Sequence, residues 1–70
     1  MDLDRSCKKL AKRMLTLMGD HGISQAELAR RSKQTPMQVS RVVSGRQMPS
    51  ALSLFEMAKV LDCEISELLG

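Results

Sequence analysis

The sequence contains a single aromatic residue, Phe55, among 70 residues. Its hydrophobic fraction is nevertheless 43%, so the core must be built from Leu, Val, Ile, Met and Ala. Small β-barrels and sandwiches depend on β-branched and aromatic side chains, whereas helix-on-helix packing does not. A chain of this length is near the lower size limit for folding without disulfides or metal. We therefore expect one all-α domain over residues 1–70.

Other functional classes find little support in the residue content. Cys7 and Cys63 are too few and too far apart for a zinc site, and their apolar helical positions favour buried free thiols over a disulfide. The one histidine, His21, has no nucleophile or ligand set beside it. No signal-peptide core or long apolar run occurs. We expect a cytoplasmic protein with no membrane partner, no enzyme activity, no metal and no cofactor.

Charge is distributed unevenly along the chain. Residues 1–50 hold ten basic and four acidic residues, a net charge of +6, whereas residues 51–70 carry a net charge of −3. A basic front and an acidic back would orient the molecule toward a polyanion. Ordinary solvated charge explains this feature almost as well.

Apolar residues recur at helical spacing through most of the chain. The first stripe is Leu3, Cys7, Leu10, Met14 and Met18, and we expect that helix to end at Gly19 before a turn over 19–22. A fourth helix is expected from the cap Ser50 to about Leu61, with a buried stripe of Ala51, Leu54, Met57, Ala58 and Leu61 and with Phe55 beside it. A last short helix contains Ile65, Leu68 and Leu69. The fold class is a compact bundle of four to five short helices.

Two short helices are predicted in the middle of the chain. Ser24 is a natural N-cap, and Glu27 three residues later completes a capping box. Residues 32–34 have no periodicity and read as a tight connection. Thr35 caps the next helix and Pro36 falls at its first position, where the missing N–H has no intrahelical partner anyway. Gly45 ends that helix.

The second of these helices has two different faces. One side carries Pro36, Val39, Val42 and Val43, and the other carries Met37, Arg41 and Ser44, with Gln38 and Ser40 at its flanks. Such a pair of helices is typical of a helix-turn-helix, whose second helix enters the DNA major groove. Gln38 can form two hydrogen bonds to adenine and Arg41 two to guanine, and Met37 can contact a thymine methyl group. Ser24, Gln25 and Thr35 stand at helix N-termini, where phosphate binds.

The order "SQAELARRS", "QTPMQVSRVVSGRQMPS" and "EISELL" resembles the phage repressor/Cro-like, xenobiotic-response-element type of helix-turn-helix regulator. The resemblance covers residues 3–69 and implies a lambda-repressor-like DNA-binding domain, with the motif at about 24–44 and a homodimer on a palindromic double-stranded operator. It implies base contacts by Pro36, Met37, Gln38 and Arg41. It implies backbone contacts by Ser24, Gln25, Thr35, Ser40, Ser44, Arg46 and Gln47.

Two positions depart from the family pattern. The turn often has a glycine between two apolar residues, where this chain has Lys33 between Ser32 and Gln34, so a left-handed Lys33 would carry a strain of roughly 1 kcal/mol. A frequent ion pair between the first and third helices is replaced by Met18 and Val43. Packed apolar groups can replace a buried pair with little loss.

Three questions stay open on the sequence. An antitoxin-type module with the same fold would bind a protein partner and regulate its own operon. The chain is also consistent with the N-terminal DNA-binding part of a longer repressor. Dimerisation is expected through the last helix, by exposed residues such as Ile65 or Leu69.

Overall fold

The computed structural model of the protein describes residues 3–70, apart from the side chain of Leu3. Within that part the chain forms α1 (Leu3–His21), α2 (Gln25–Ser32), α3 (Pro36–Val43), α4 (Ala51–Val60) and α5 (Ile65–Leu69). The all-α prediction is confirmed. Residues 1 and 2 of the predicted domain, and the Leu3 side chain of the first stripe, lie outside the described part. None of the described helices is both long and apolar enough to cross a membrane.

One buried core joins all the helices. α1 packs against α3 and α5, and α2 packs against α3 and α4. The core residues are Leu10, Met14, Met18, Ile23, Leu28, Ala29, Val39, Val42, Val43, Leu54, Met57, Ala58, Leu61 and Leu68. Met18 and Val43 both belong to this core. The positions where related proteins often have an ion pair are therefore filled by buried apolar side chains in this protein.

Two side chains of the predicted stripes lie at the surface. Ala51 was expected in the buried stripe of α4, but it is exposed because the inner face of the helix starts at Leu54. Pro36 was expected on the valine side of α3, but at the first helical position it lies beyond the surface that α1 and α2 cover, and it is exposed. Phe55 is 49% exposed, and its ring centroid lies 5.3 Å from the Lys59 ammonium.

α1 is longer than expected. It continues through Gly19 to His21, and Gly22 takes the left-handed conformation with φ 65°. The Ile23 N–H donates to the Met18 carbonyl at 2.9 Å, which closes a Schellman motif. Both Gly19 and Gly22 could end a helix, but ending at Gly22 also buries Ile23 against the core.

The same motif ends α2, α3 and α4. The left-handed residue is Lys33 (φ 61°) after α2, Gly45 (φ 78°) after α3 and Asp62 (φ 53°) after α4. After α2, the Gln34 N–H donates to the Ala29 carbonyl at 2.9 Å. Lys33 takes the left-handed conformation that the resemblance predicts for the glycine of this turn. The backbone of the turn is therefore the predicted one, although the residue is a lysine.

Replacing Lys33 by glycine is expected to raise the free energy of unfolding by about 0.5–1 kcal/mol. The left-handed conformation penalises a side chain by about 1–2 kcal/mol, and the greater freedom of glycine in the unfolded chain offsets part of that gain. Urea denaturation measures the effect. The matched control Arg31→Gly, inside α2, should lose about 1 kcal/mol. A lower free energy of unfolding for Lys33→Gly would show that the left-handed lysine is not strained.

The connection between α2 and α3 is shorter than predicted. Ser32, expected in a loop over 32–34, is the last residue of α2 and is fully buried. Its Oγ donates to the Leu28 carbonyl at 2.6 Å, so the buried hydroxyl is satisfied within its own helix.

Both cysteines are free thiols. Cys7 is buried as expected, whereas Cys63 was expected to be buried and is half-buried, because it follows α4 at the edge of the core. Burial raises the pKa of the Cys63 thiol, and the Glu67 and Asp62 carboxylates raise it further. Cys63 therefore stays a protonated thiol at neutral pH.

Candidate nucleic-acid interface

The N-terminus of α2 is fixed by Ser24. The Ser24 Oγ accepts a hydrogen bond from the Glu27 N–H at 3.1 Å, as predicted for an N-cap. The Glu27 carboxylate accepts from Arg31 Nη1 at 3.4 Å, so only the Ser24 half of the predicted capping box forms. Gln25, the first residue of α2, is exposed beside this cap. The free N–H groups of the first turn and the Gln25 amide thus face solvent together.

The N-terminus of α3 has a complete capping box. The Thr35 Oγ1 accepts from the Gln38 N–H at 3.1 Å, and the Gln38 Oε1 accepts from the Thr35 N–H at 2.9 Å. Pro36 occupies the first helical position, as predicted. Two orphan N–H groups are satisfied and φ is preset, so this end of α3 is rigid where the sequence predicted base readers.

The turn before α3 is also tied to α4. The Gln34 Oε1 accepts from the Ser53 Oγ at 2.8 Å, and the Gln34 Nε2 donates to the Ser32 carbonyl at 3.1 Å. Ser53 in turn accepts from the Ser50 Oγ at 3.0 Å, at the N-cap of α4. A small cavity of about 120 Å³ lies between these polar groups and α3. The turn that leads into α3 is therefore held to the first turn of α4.

The outer face of α3 carries an unpaired cation next to an apolar side chain. Met37 is 62% exposed. Arg41 is exposed too, and within residues 3–70 no hydrogen bond or ion pair engages its guanidinium. The opposite face, formed by the three valines, is buried. α3 thus presents one fixed face to solvent.

The chain after α3 extends this surface. The Ser44 Oγ donates to the Arg41 carbonyl at 3.1 Å, and Arg46 and Gln47 are exposed in the following loop. Gly45 packs closely on α1, since a Cβ there would lie 3.4 Å from the Lys8 Cα. This places the exposed Lys8, which also pairs with Asp4 at 3.2 Å, beside the end of α3.

All eleven predicted site residues are exposed on α2, α3 and the segments flanking them. They are Ser24, Gln25, Thr35, Pro36, Met37, Gln38, Ser40, Arg41, Ser44, Arg46 and Gln47.

Sequence reasoning missed the supporting residues of the site. Gln34 and Ser53 are 19 positions apart, and no periodicity links them. Lys8 lies on the first helix, far from the motif in sequence, and only the packing of Gly45 on α1 brings it near α3. Among residues 3–70 no group of three or more His, Cys, Asp or Glu side chains is arranged to hold a metal ion. Arg41, Arg46 and Lys8 supply positive charge on and beside α3.

Known proteins resemble this chain in both sequence and structure. A profile of the helix-turn-helix family matches residues 12–68. The restriction-modification controller protein C.AhdI from Aeromonas hydrophila is 31% identical, over 89% of this chain and 94% of that chain, with a TM-score of 0.84. The clp gene regulator ClgR from Corynebacterium glutamicum is 24% identical, over 90% of this chain and 67% of that chain, with a TM-score of 0.84, and shows the fold alone. No curated protein sequence matches the chain.

Proposed function

The chain belongs to the Cro/C1-type helix-turn-helix family of DNA-binding transcriptional regulators, and from that premise we propose that it is a sequence-specific repressor. It inserts α3 into the major groove of a palindromic operator as a homodimer. The family is a DNA-binding regulator fold rather than an enzyme family. The observation that carries the proposal is the rigid outer face of α3, with an exposed Met37 and an unpaired Arg41.

Base readout is assigned to the first half of α3 and Arg41. The Arg41 guanidinium donates two parallel hydrogen bonds to the O6 and N7 atoms of a guanine. Met37 contacts a thymine methyl group, which suits a large apolar side chain held out in solvent. Pro36 packs against a base edge or sugar at the tip of the helix. Gln38 supplies polar contact from its side-chain amide.

Backbone contacts surround that face. Gln25 and the free N–H groups of α2 bind one phosphate, because a helix N-terminus attracts anions. Arg46 contributes charge in the loop after the C-terminal end of α3. Short side chains and one amide complete the set, namely Ser24, Thr35, Ser40, Ser44 and Gln47. These contacts fix the register of the domain on the duplex and leave sequence choice to α3.

The homodimer is assigned to the last two helices. Leu69 is 48% exposed, whereas Ile65 is half-buried and packs partly on the core. α4 adds Leu52, which is 71% exposed, and Phe55. Large exposed apolar side chains of this kind suit a subunit interface. A two-fold pair of domains reads two half-sites about 34 Å apart, one helical turn of DNA.

Selection of bound sites from a random DNA pool tests the function. We expect an inverted repeat, bound about 10³-fold or more tightly than random DNA at physiological salt. We also expect the logarithm of the affinity to fall linearly with the logarithm of salt concentration, by about 0.9 per phosphate neutralised. Sedimentation of the complex should give two protein chains per operator. Equal affinity for selected and random DNA would contradict sequence-specific binding.

A further inference from the structure

The side chain of Gln38 takes part in two hydrogen bonds with Thr35 at the start of α3. Its Oε1 accepts from the Thr35 N–H at 2.9 Å and lies 3.1 Å from the Thr35 Oγ1. A backbone N–H can only donate, so the side-chain atom that faces it must be the carbonyl oxygen and not the nitrogen. The orientation of the amide follows from this contact alone.

Both acceptor sites of that carbonyl are occupied. The Thr35 Oγ1 accepts from the Gln38 N–H at 3.1 Å, which leaves its own hydrogen available to donate to Oε1. An amide carbonyl has two lone pairs, and the Thr35 N–H and O–H fill them. The free end of the amide is the Nε2 group, and in the described part of the chain it has no hydrogen-bond partner.

A glutamine reads adenine only with both ends of its amide. The carbonyl accepts from the adenine N6 group while the nitrogen donates to N7. Gln38 would have to break both hydrogen bonds of the α3 cap to make that pair. Guanine presents two acceptors, O6 and N7, to the major groove, whereas adenine presents N7 beside the N6 amino donor. A donor placed between the two positions therefore favours guanine with the cap intact.

We propose that Gln38 is a donor-only specificity residue that selects guanine over adenine while it caps α3. This inference rests on the proposed function and assigns the base that one of its residues recognises. The Nε2 group donates to guanine N7 and O6 together, a pair of acceptors that adenine lacks, and the carbonyl stays bound to Thr35. Gln38 then caps the N-terminus of α3 with its carbonyl and contacts the base with its Nε2 group.

The test couples protein variants to base analogues in the selected operator. Each guanine is replaced in turn by 7-deazaguanine, which lacks N7, and each adenine by purine, which lacks the amino group. Gln38→Met removes both ends of the amide. Gln38→Glu keeps an acceptor for the Thr35 N–H and removes the donor. Equilibrium binding is measured for every pair of protein and operator.

Apart from the guanine assigned to Arg41, we expect one guanine per half-site at which 7-deazaguanine lowers the wild-type affinity about 3- to 10-fold, the effect of one lost hydrogen bond. The same analogue should change the affinity of both variants less than 2-fold, because their donor is already absent. Thermal unfolding checks the cap: Gln38→Glu should keep the wild-type melting temperature, whereas Gln38→Met should lower it.

Three outcomes would overturn the inference. An adenine whose lost amino group weakens the wild type but not Gln38→Met would show bidentate adenine reading. Equal losses by Gln38→Met on operator and random DNA would show a phosphate contact. A selected operator without any coupled guanine would also reject donor-only reading, whereas a wild-type protein that selects no sequence overturns the proposed function itself.

Discussion

Replacing Arg41 by alanine should lower operator affinity about 5- to 150-fold, equivalent to about 1–3 kcal/mol. The unpaired guanidinium of Arg41 stands on the exposed face of α3, and its removal would leave unsatisfied the guanine edge that we propose it binds. The loss should be concentrated at one base pair of each half-site. Equilibrium binding to a set of operators with single substitutions measures both the loss and its position.

Removing one positive charge from a different helix separates base recognition by Arg41 from the nonspecific attraction between a cation and DNA. Lys9→Ala removes the same charge from α1, where the lysine lies near Gly70 rather than α3. It should weaken operator and random DNA alike, and only slightly. If Arg41→Ala behaved in the same uniform way, Arg41 would be a phosphate contact.

Replacing Leu28 by alanine should lower the free energy of unfolding by about 2–5 kcal/mol. Leu28 is completely buried in the core that holds α2, α3 and α4 together. A domain of this size has a total stability of only about 4–10 kcal/mol, so much of the population should unfold near 37 °C. Urea denaturation followed by circular dichroism measures the change.

An exposed leucine provides the control for that loss. Leu15→Ala, at a position 48% exposed on α1 and outside the proposed dimer interface, should change the free energy of unfolding by about 0.5 kcal/mol or less. Equal effects of the two substitutions would mean that Leu28 does not carry the core contact described for it.

The starts of the helices were predictable because their signals are local. Ser24, Thr35 and Ser50 cap the helices that follow, and Pro36 sets the first residue of α3. The end of α1 was harder, since both Gly19 and Gly22 permit a stop. The choice depends on which end buries Ile23, and that is a property of the assembled core.

The exposed face of the site was predictable for a similar reason. Valines at helical spacing indicate the buried side of α3, so Met37 and Arg41 must lie on the other side. The second use of Gln38 was not predictable, because a polar side chain at that position can serve its own backbone or a partner. The link from Gln34 to Ser53 depends on how α4 packs, which no local pattern contains.

The apolar pair of Met18 and Val43 has a consequence for experiments on the complex. Both side chains are buried, and dissolved ions do not screen an apolar contact as they screen a pair of charges. The angle at which α1 holds α3 should therefore be the same in dilute buffer and in concentrated salt. Ionic strength should then weaken the contacts between protein and DNA without changing the position of α3 on α1. The slope of a salt titration should then reflect the phosphate contacts rather than a change in how α1 packs on α3.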